Sequence, residues 1–161
     1  MRIGQGVDVH RLVPDRRLFL GGVEIDSDRG LEGHSDGDAL LHAVASALLG
    51  AAGEGDLGHH FPSSDPALSG VASREILGRV VEILAAGGFA VVNVDATVVA
   101  QAPRLGPHRE KMESAIAGVL GVAADRVNVK ITSTDRLGFI GREEGIAALA
   151  VALIEERGER S

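Results

Sequence analysis

Residues 34–52 read HSDGDALLHAVASALLGAA, with two histidines and two aspartates crowded in front of, or just inside, an apolar run. The spacing predicts a helix over 37–52, with Ser35 and Asp38 in capping-box spacing. Two readings follow. The polar front caps and solubilises a helix, or the helix presents it to a ligand.

The rest of the chain bounds the choice. Its 161 residues suit one domain, 1–161, with a sizeable core. Aromatic residues make up 2%, with no Trp or Tyr, so Ala, Val, Leu and Ile must fill the interior. Small side chains bury little area each, which leaves apolar surface for subunit contacts. A net charge of −7 argues against a nucleic-acid partner, which asks for a basic field and stacking aromatics. With no cysteine, a transition metal must be held by His and carboxylates. The start, MRIGQGVDVHRL, lacks a signal-peptide core, and GIAALAVALI is about half a membrane span, so a cytoplasmic protein without a membrane partner is expected.

Along the chain, 2–12 predicts a strand with Ile3, Val7 and Val9 on one face and Gly4, Gly6, Asp8 and His10 on the other. RRLFLGGVEI predicts a hairpin about Gly21 and Gly22. GEGDLGHHFPSSDPALSG is a polar loop of the length that carries function. Helices are expected over Ser73–Ala86, closed by Gly87 and Gly88, and over 108–120. FAVVNVDATVVA predicts a buried strand, QAPRLGP a rigid loop and RVNVKITST another strand. GIAALAVALIEE fits helix or buried strand equally. The sum is one layered α/β or α+β domain.

Asp8 and His10 leave the same strand face, and the two glycines beside them leave room for a close approach. With His42, one turn beyond Asp38, they make a borderline-metal donor set with a fourth position open, the pattern of catalytic zinc. Spacing alone also fits a hydrogen-bonded core histidine. Ser35 reads first as an N-cap with His34 at the surface, and otherwise the two form an anion site at the helix start.

GVDVHRL, HSDGDALLHA, GDLGHHFPSSDP, VVAQAPRLGPH and TSTDRLGFIGREEG follow one another in this order across almost the whole chain. Together they resemble the 2-C-methyl-D-erythritol 2,4-cyclodiphosphate synthase family of the non-mevalonate isoprenoid pathway. The resemblance implies a mixed four-stranded sheet with helices on one side. It also implies a homotrimer with active sites between subunits, and it makes GIAALAVALIEE a strand.

The implied substrate is 4-diphosphocytidyl-2-C-methyl-D-erythritol 2-phosphate. Its 2-phosphate attacks the β-phosphorus, CMP leaves and a cyclic diphosphate forms, a phosphorus–oxygen lyase reaction. The resemblance assigns Zn²⁺ to Asp8, His10 and His42, with Asp8 and His10 also touching substrate. His34 and Ser35 would grip the attacking phosphate, and His34 and Ser133 would serve catalysis. Asp135, where the family usually has Glu, would help hold Mg²⁺ or Mn²⁺, and Thr132, Ser133 and Thr134 would meet the diphosphate.

Ala100 to Gly106, including Arg104 and Leu105, would take cytosine, and Asp56 and Gly58 the ribose. Phe61, Ser63 and Asp65 would face the methylerythritol, and Phe139 and Arg142 complete the set. Ser133 and Arg104 stand for the usual Thr and Lys and keep their chemistry. Ser46 and Ser63 stand where Asp is usual, which alters contacts near His42 and the polyol.

Two other classes compete. A zinc phosphohydrolase would use the open position to activate water, but no clear general base lies beside it. A ligand-binding trimer with a structural metal would not need an open position.

Overall fold

Alternating small and apolar residues set up the first strand, β1 (Arg2–Pro14). Its apolar face, Ile3, Val7 and Val9, is exposed, and the face carrying Gly4, Gly6, Asp8 and His10 turns inward. The computed structural model describes residues 1–158. Glu159, Arg160 and Ser161, included in the single-domain reading 1–161, lie outside the described residues.

A hairpin of β2 (Leu18–Leu20) and β3 (Val23–Ile25) turns through Gly21 and Gly22, whose φ of 60° and 75° explain the glycine pair. β4 (Arg29–Leu31) and helix α1 (Ala39–Ala52) follow. Next come the short α2 (Leu57–His60) and α3 (Ser73–Ala86). The chain continues through β5 (Phe89–Val99), α4 (Arg109–Leu120), β6 (Val127–Thr132), the short α5 (Gly138–Gly141) and β7 (Gly145–Glu156).

The sheet has five strands in the order β4-β1-β7-β5-β6, one more than expected. The extra member is the three-residue edge strand β4, paired to the end of β1 through Leu12, Val13 and Pro14. β5 and β6 run parallel, and the other neighbours are antiparallel. β5 is also less enclosed than expected. Phe89, Val94, Ala96 and Val98 are buried, while the alternate residues are half-buried.

GIAALAVALIEE is a strand along its full length, pairing β1 on one side and β5 on the other. Its alanines are a packing device. Ala148, Ala150 and Ala152 pair with Asp8, Gly6 and Gly4. Over this floor lies α1, with Ala43, Ala47 and Ala51 spaced one turn apart. The approach is so close that a β-carbon on Gly6 would sit 2.0 Å from the Ala43 carbonyl oxygen, and one on Gly4 2.1 Å from that of Ala47. The room these glycines leave is therefore filled by the helix, not by a ligand.

α1 begins two residues later than expected. Its N-cap is Asp38, whose Oδ1 accepts from Leu41 N at 3.0 Å. The same fully buried carboxylate accepts from Gly21 N and Gly22 N at 2.9 and 2.7 Å, tying the hairpin to the helix start. Burial pushes the Asp38 carboxyl up, and these backbone donors work against that rise. No helix among the described residues is long and apolar enough to cross a membrane.

Candidate active site

Asp8 and His10 project side by side from β1, and His42 meets them from the first turn of α1. Asp8 Oδ2 lies 2.8 Å from His10 Nε2 and 3.2 Å from His42 Nδ1, and the two ring nitrogens are 3.3 Å apart. Ligand atoms held tetrahedrally at about 2.0–2.1 Å from zinc stand about 3.3–3.4 Å apart. The triangle approaches that size, with the Asp8–His10 edge the tightest.

The outer ring nitrogens are also engaged. His10 Nδ1 donates to the Glu32 carbonyl oxygen at 2.5 Å, which turns Nε2 inward to face Asp8 and His42. His42 Nε2 lies 3.0 Å from Ser73 Oγ and 3.2 Å from Ser35 Oγ. One carboxylate and two imidazoles converging on one point fit a borderline divalent ion such as zinc. Burial opposes an ionised Asp8, but hydrogen bonds and charge from His10 and His42 outweigh it and hold the carboxyl down at about 2. His10 is raised, chiefly by its hydrogen bond to Asp8, with burial in opposition. Hydrogen bonds within the cluster use the same atoms that would ligate a metal, so a metal ion would bind in competition with protons.

The three donors open onto a cleft of about 250 Å³ lined also by His34, Ser35, Leu57, Phe61 and Ser63. His34 is exposed at the rim, its Nε2 3.4 Å from the Asp65 carbonyl oxygen. Ser35 is buried and is not a helix cap. Its Oγ, four residues before α1, accepts from Gly37 N at 3.2 Å, so the expected N-cap role passes to Asp38. One amide of the helix start, Leu41 N, is therefore taken by the Asp38 carboxylate. The loop is held by Arg16, whose Nη2 donates to the carbonyls of Gly33 and Ser35 at 3.1 and 2.6 Å. Ser46 is half-buried one turn beyond His42 and does not line the cleft; Ser35 and Ser73 make the outer contacts of that histidine.

The other expected residues fall in three places. Asp56 caps α2, its Oδ1 accepting from His59 N at 2.8 Å, with Gly58 inside that helix beside the cleft residues Leu57 and Phe61. The segment 100–106 and the residues Thr132 to Asp135 meet at the ends of the parallel pair β5 and β6. There Ala100 N donates to the Thr132 carbonyl at 3.0 Å, and Arg136 N to Gln101 Oε1 at 2.9 Å. None of these residues lines the metal cleft of its own chain. Phe139 and Arg142 line a second hollow of about 590 Å³, which shares His10 with the first.

Asp135 and Arg136 are consecutive left-handed residues, with φ of 50° and 68°. Such strain persists only where neighbours impose it. Here Gly141 packs on the turn, since a β-carbon there would lie 2.1 Å from the Arg136 carbonyl carbon. Aspartate tolerates this conformation better than most residues do. Ser133 Oγ is 3.3 Å from Asp135 Oδ1, and Asp135 joins no cluster of three metal-ligating groups among the described residues.

Sequence reasoning missed Asp36, Ser73 and Arg16, which contact the site through tertiary structure. Only Asp36 carried a sequence signal, its place inside HSDGD.

Comparison with known proteins accords with this geometry. The YgbB family profile matches residues 1–155. A 2-C-methyl-D-erythritol 2,4-cyclodiphosphate synthase from Thiobacillus denitrificans is 60% identical over 155 residues, covering 96% of this chain and 97% of its own. The synthase of that name from Symbiobacterium thermophilum is 59% identical over 157 residues, with 98% and 100% covered. Among solved structures, the bifunctional IspDF of Campylobacter jejuni superposes with a TM-score of 0.93 at 41% identity, covering 96% of this chain and 42% of that one. A CDP-bound form of a 2C-methyl-D-erythritol-2,4-cyclodiphosphate synthase gives a TM-score of 0.88 at 34% identity, covering 96% and 100%.

Proposed function

The chain belongs to the YgbB family, and from that premise we propose that it converts 4-diphosphocytidyl-2-C-methyl-D-erythritol 2-phosphate to 2-C-methyl-D-erythritol 2,4-cyclodiphosphate and CMP, in isoprenoid precursor biosynthesis. The observation that carries this reading is the convergence of Asp8, His10 and His42 at the floor of a cleft rimmed by His34 and Ser35.

The reaction is an intramolecular transfer. An oxygen of the 2-phosphate bonds to the β-phosphorus, the bond from that phosphorus to the bridging oxygen breaks, and CMP departs with the electron pair. Positioning and charge neutralisation supply most of the acceleration in such reactions. Zn²⁺ held by Asp8, His10 and His42 would supply Lewis-acid polarisation of a phosphate oxygen. His34 and the Ser35 hydroxyl orient the attacking phosphate from the rim. The Ser133 hydroxyl, with His34, stabilises charge as the bond forms. Thr132 to Asp135 hold the diphosphate, the 100–106 segment the cytosine, and Asp56 and Gly58 the ribose. Phe61, Ser63 and Asp65 face the polyol, and Phe139 and Arg142 complete the substrate contacts.

Incubating the purified protein with this substrate should give CMP and the cyclic diphosphate in equal amounts. Inorganic phosphate as product would make it a hydrolase instead, and no turnover would make it a binding protein.

Asp135 handles a second ion, Mg²⁺ or Mn²⁺, in this reading. It joins no cluster of three metal-ligating groups among the described residues, so substrate phosphates would supply most of the hold on such an ion, which would arrive with the nucleotide. Asp135→Asn should raise the Mg²⁺ concentration needed for half-maximal CMP release and leave zinc content unchanged. Identical Mg²⁺ curves for the two proteins would remove Asp135 from this role.

The assembly is a homotrimer with sites between subunits. Its support is an apolar sheet face that the helices leave open. Val7 and its cross-strand partner Leu149 are 55% and 38% exposed, with Ile3 at 70% and Val151 at 40% beside them. Contiguous apolar surface of this kind marks an interface. A neighbour could also bring the β5/β6 ends to a metal cleft they do not line within one chain. Light scattering should give about three times the 16.6 kDa chain mass. A fully active monomer would overturn the assembly.

A further inference from the structure

Outside the donor triangle, one side-chain chain runs into it from helix α3. Ser73, the first residue of α3, is fully buried, and its hydroxyl donates to Asp36 Oδ1. Asp36 is held by two further donors, Ser73 N to Oδ2 at 3.0 Å and Asp38 N to Oδ1 at 3.2 Å. A serine hydroxyl has one proton. With that proton given to a carboxylate, Ser73 Oγ faces His42 Nε2, 3.0 Å away, as an acceptor only. His42 Nε2 must then carry the imidazole proton. In the neutral imidazole that a metal ligand must be, the lone pair is then left on Nδ1, which faces Asp8 and His10.

Ser35 cannot set this direction by itself. Its Oγ is 3.2 Å from His42 Nε2 and 3.4 Å from Ser73 Oγ, but its proton has no carboxylate to fix it, and the residue lines the cleft. The two serines thus differ in role. Ser73 receives the histidine's proton, and Ser35 keeps a donor for an anionic ligand.

We propose that Asp36 and Ser73 are positioning residues that fix His42 in its metal-ligating tautomer through a one-way hydrogen-bond chain, His42 to Ser73 to Asp36. This rests on the reading of Asp8, His10 and His42 as the zinc site. Metal-bound histidines hold their outer N–H in this manner, and loss of such a partner costs about 10–100-fold in metal affinity.

The test is zinc affinity, measured by competition with a chromophoric chelator on the purified full-length protein. Ser73→Ala leaves the helix free of steric conflict and keeps the backbone bond to Asp36. It is expected to weaken zinc binding by about 10–100-fold. Ser73→Thr, which restores the hydroxyl, should recover most of the affinity. Asp36→Asn should weaken binding in the native background and add little in the Ser73→Ala background, since both act through one chain. In the zinc-loaded wild-type protein, nitrogen-15 NMR should show His42 protonated at Nε2.

A role confined to folding would lower the melting temperature of Ser73→Ala and leave zinc affinity at the wild-type value, and that result overturns the proposal. So does a His42 protonated at Nδ1. Wild-type protein that binds no zinc would instead sink the metal reading itself, and this inference with it.

Discussion

The His42→Ala protein is expected to purify without stoichiometric zinc and to release CMP about 10²–10⁴ times more slowly than wild type. The size follows from the role. Lewis-acid stabilisation of a phosphoryl oxygen amounts to several kcal/mol, and each 1.36 kcal/mol is a factor of ten in rate. Removing the imidazole takes one of three donors from a triangle whose edges are 2.8, 3.2 and 3.3 Å, and two donors hold a borderline ion poorly. The variant should still fold. His42 is a small part of a helix held by leucine and alanine contacts, and water can reach the vacated space from the cleft. Metal analysis, CMP release and a melting curve on the same preparation separate the effects. Full zinc content in a folded His42→Ala protein would remove His42 from the ligand set.

Part of the donor set is legible in the sequence from local rules, and the rest through the resemblance of its motifs. Two residues apart on a strand means one face, so Asp8 and His10 pair whatever the tertiary contacts. His42 stands out at the polar start of an apolar helix, but only the motif resemblance joins it to the pair. What is not legible is the layer behind the donors. Ser73 reaches His42 across 31 positions, and Asp36 meets Ser73 across 37. Nothing in either local pattern announces that contact. Asp38 obscures the boundary of α1 for a similar reason. Its carboxylate serves the hairpin amides of Gly21 and Gly22 as well as the helix, so the buried aspartate, not Ser35, is the cap. β7 is ambiguous on composition because alanine favours helices by intrinsic propensity. Here alanine is selected for its size, under a helix that comes too near for anything larger.

That close approach makes Gly6 a position where a single methyl group should do great harm to the fold. A β-carbon at Gly6 would stand 2.0 Å from the Ala43 carbonyl oxygen and 2.7 Å from Ala47 N. Both are backbone atoms of α1, so no rotamer change relieves the clash and the helix must lift off the sheet. Overpacking of this kind costs about 1–3 kcal/mol and occasionally more, and at this chain length each kcal/mol lowers Tm by about 2–4 °C. Gly6→Ala is expected at the upper end, with Tm lower by about 6–12 °C. The same movement separates His42 on α1 from Asp8 and His10 on β1, so zinc affinity should fall in the folded fraction too. Gly50→Ala provides the opposite sign. Gly50 lies on the exposed side of α1, and a β-carbon there would stand 3.9 Å from its nearest neighbour, the Gln5 carbonyl oxygen. Alanine there removes only the helix penalty of glycine and should stabilise by about 0.5–1 kcal/mol. Thermal melts of the two variants, with zinc titrations on each, test the pair. A Gly6→Ala protein as stable as Gly50→Ala would show that α1 does not rest on β1 at this distance.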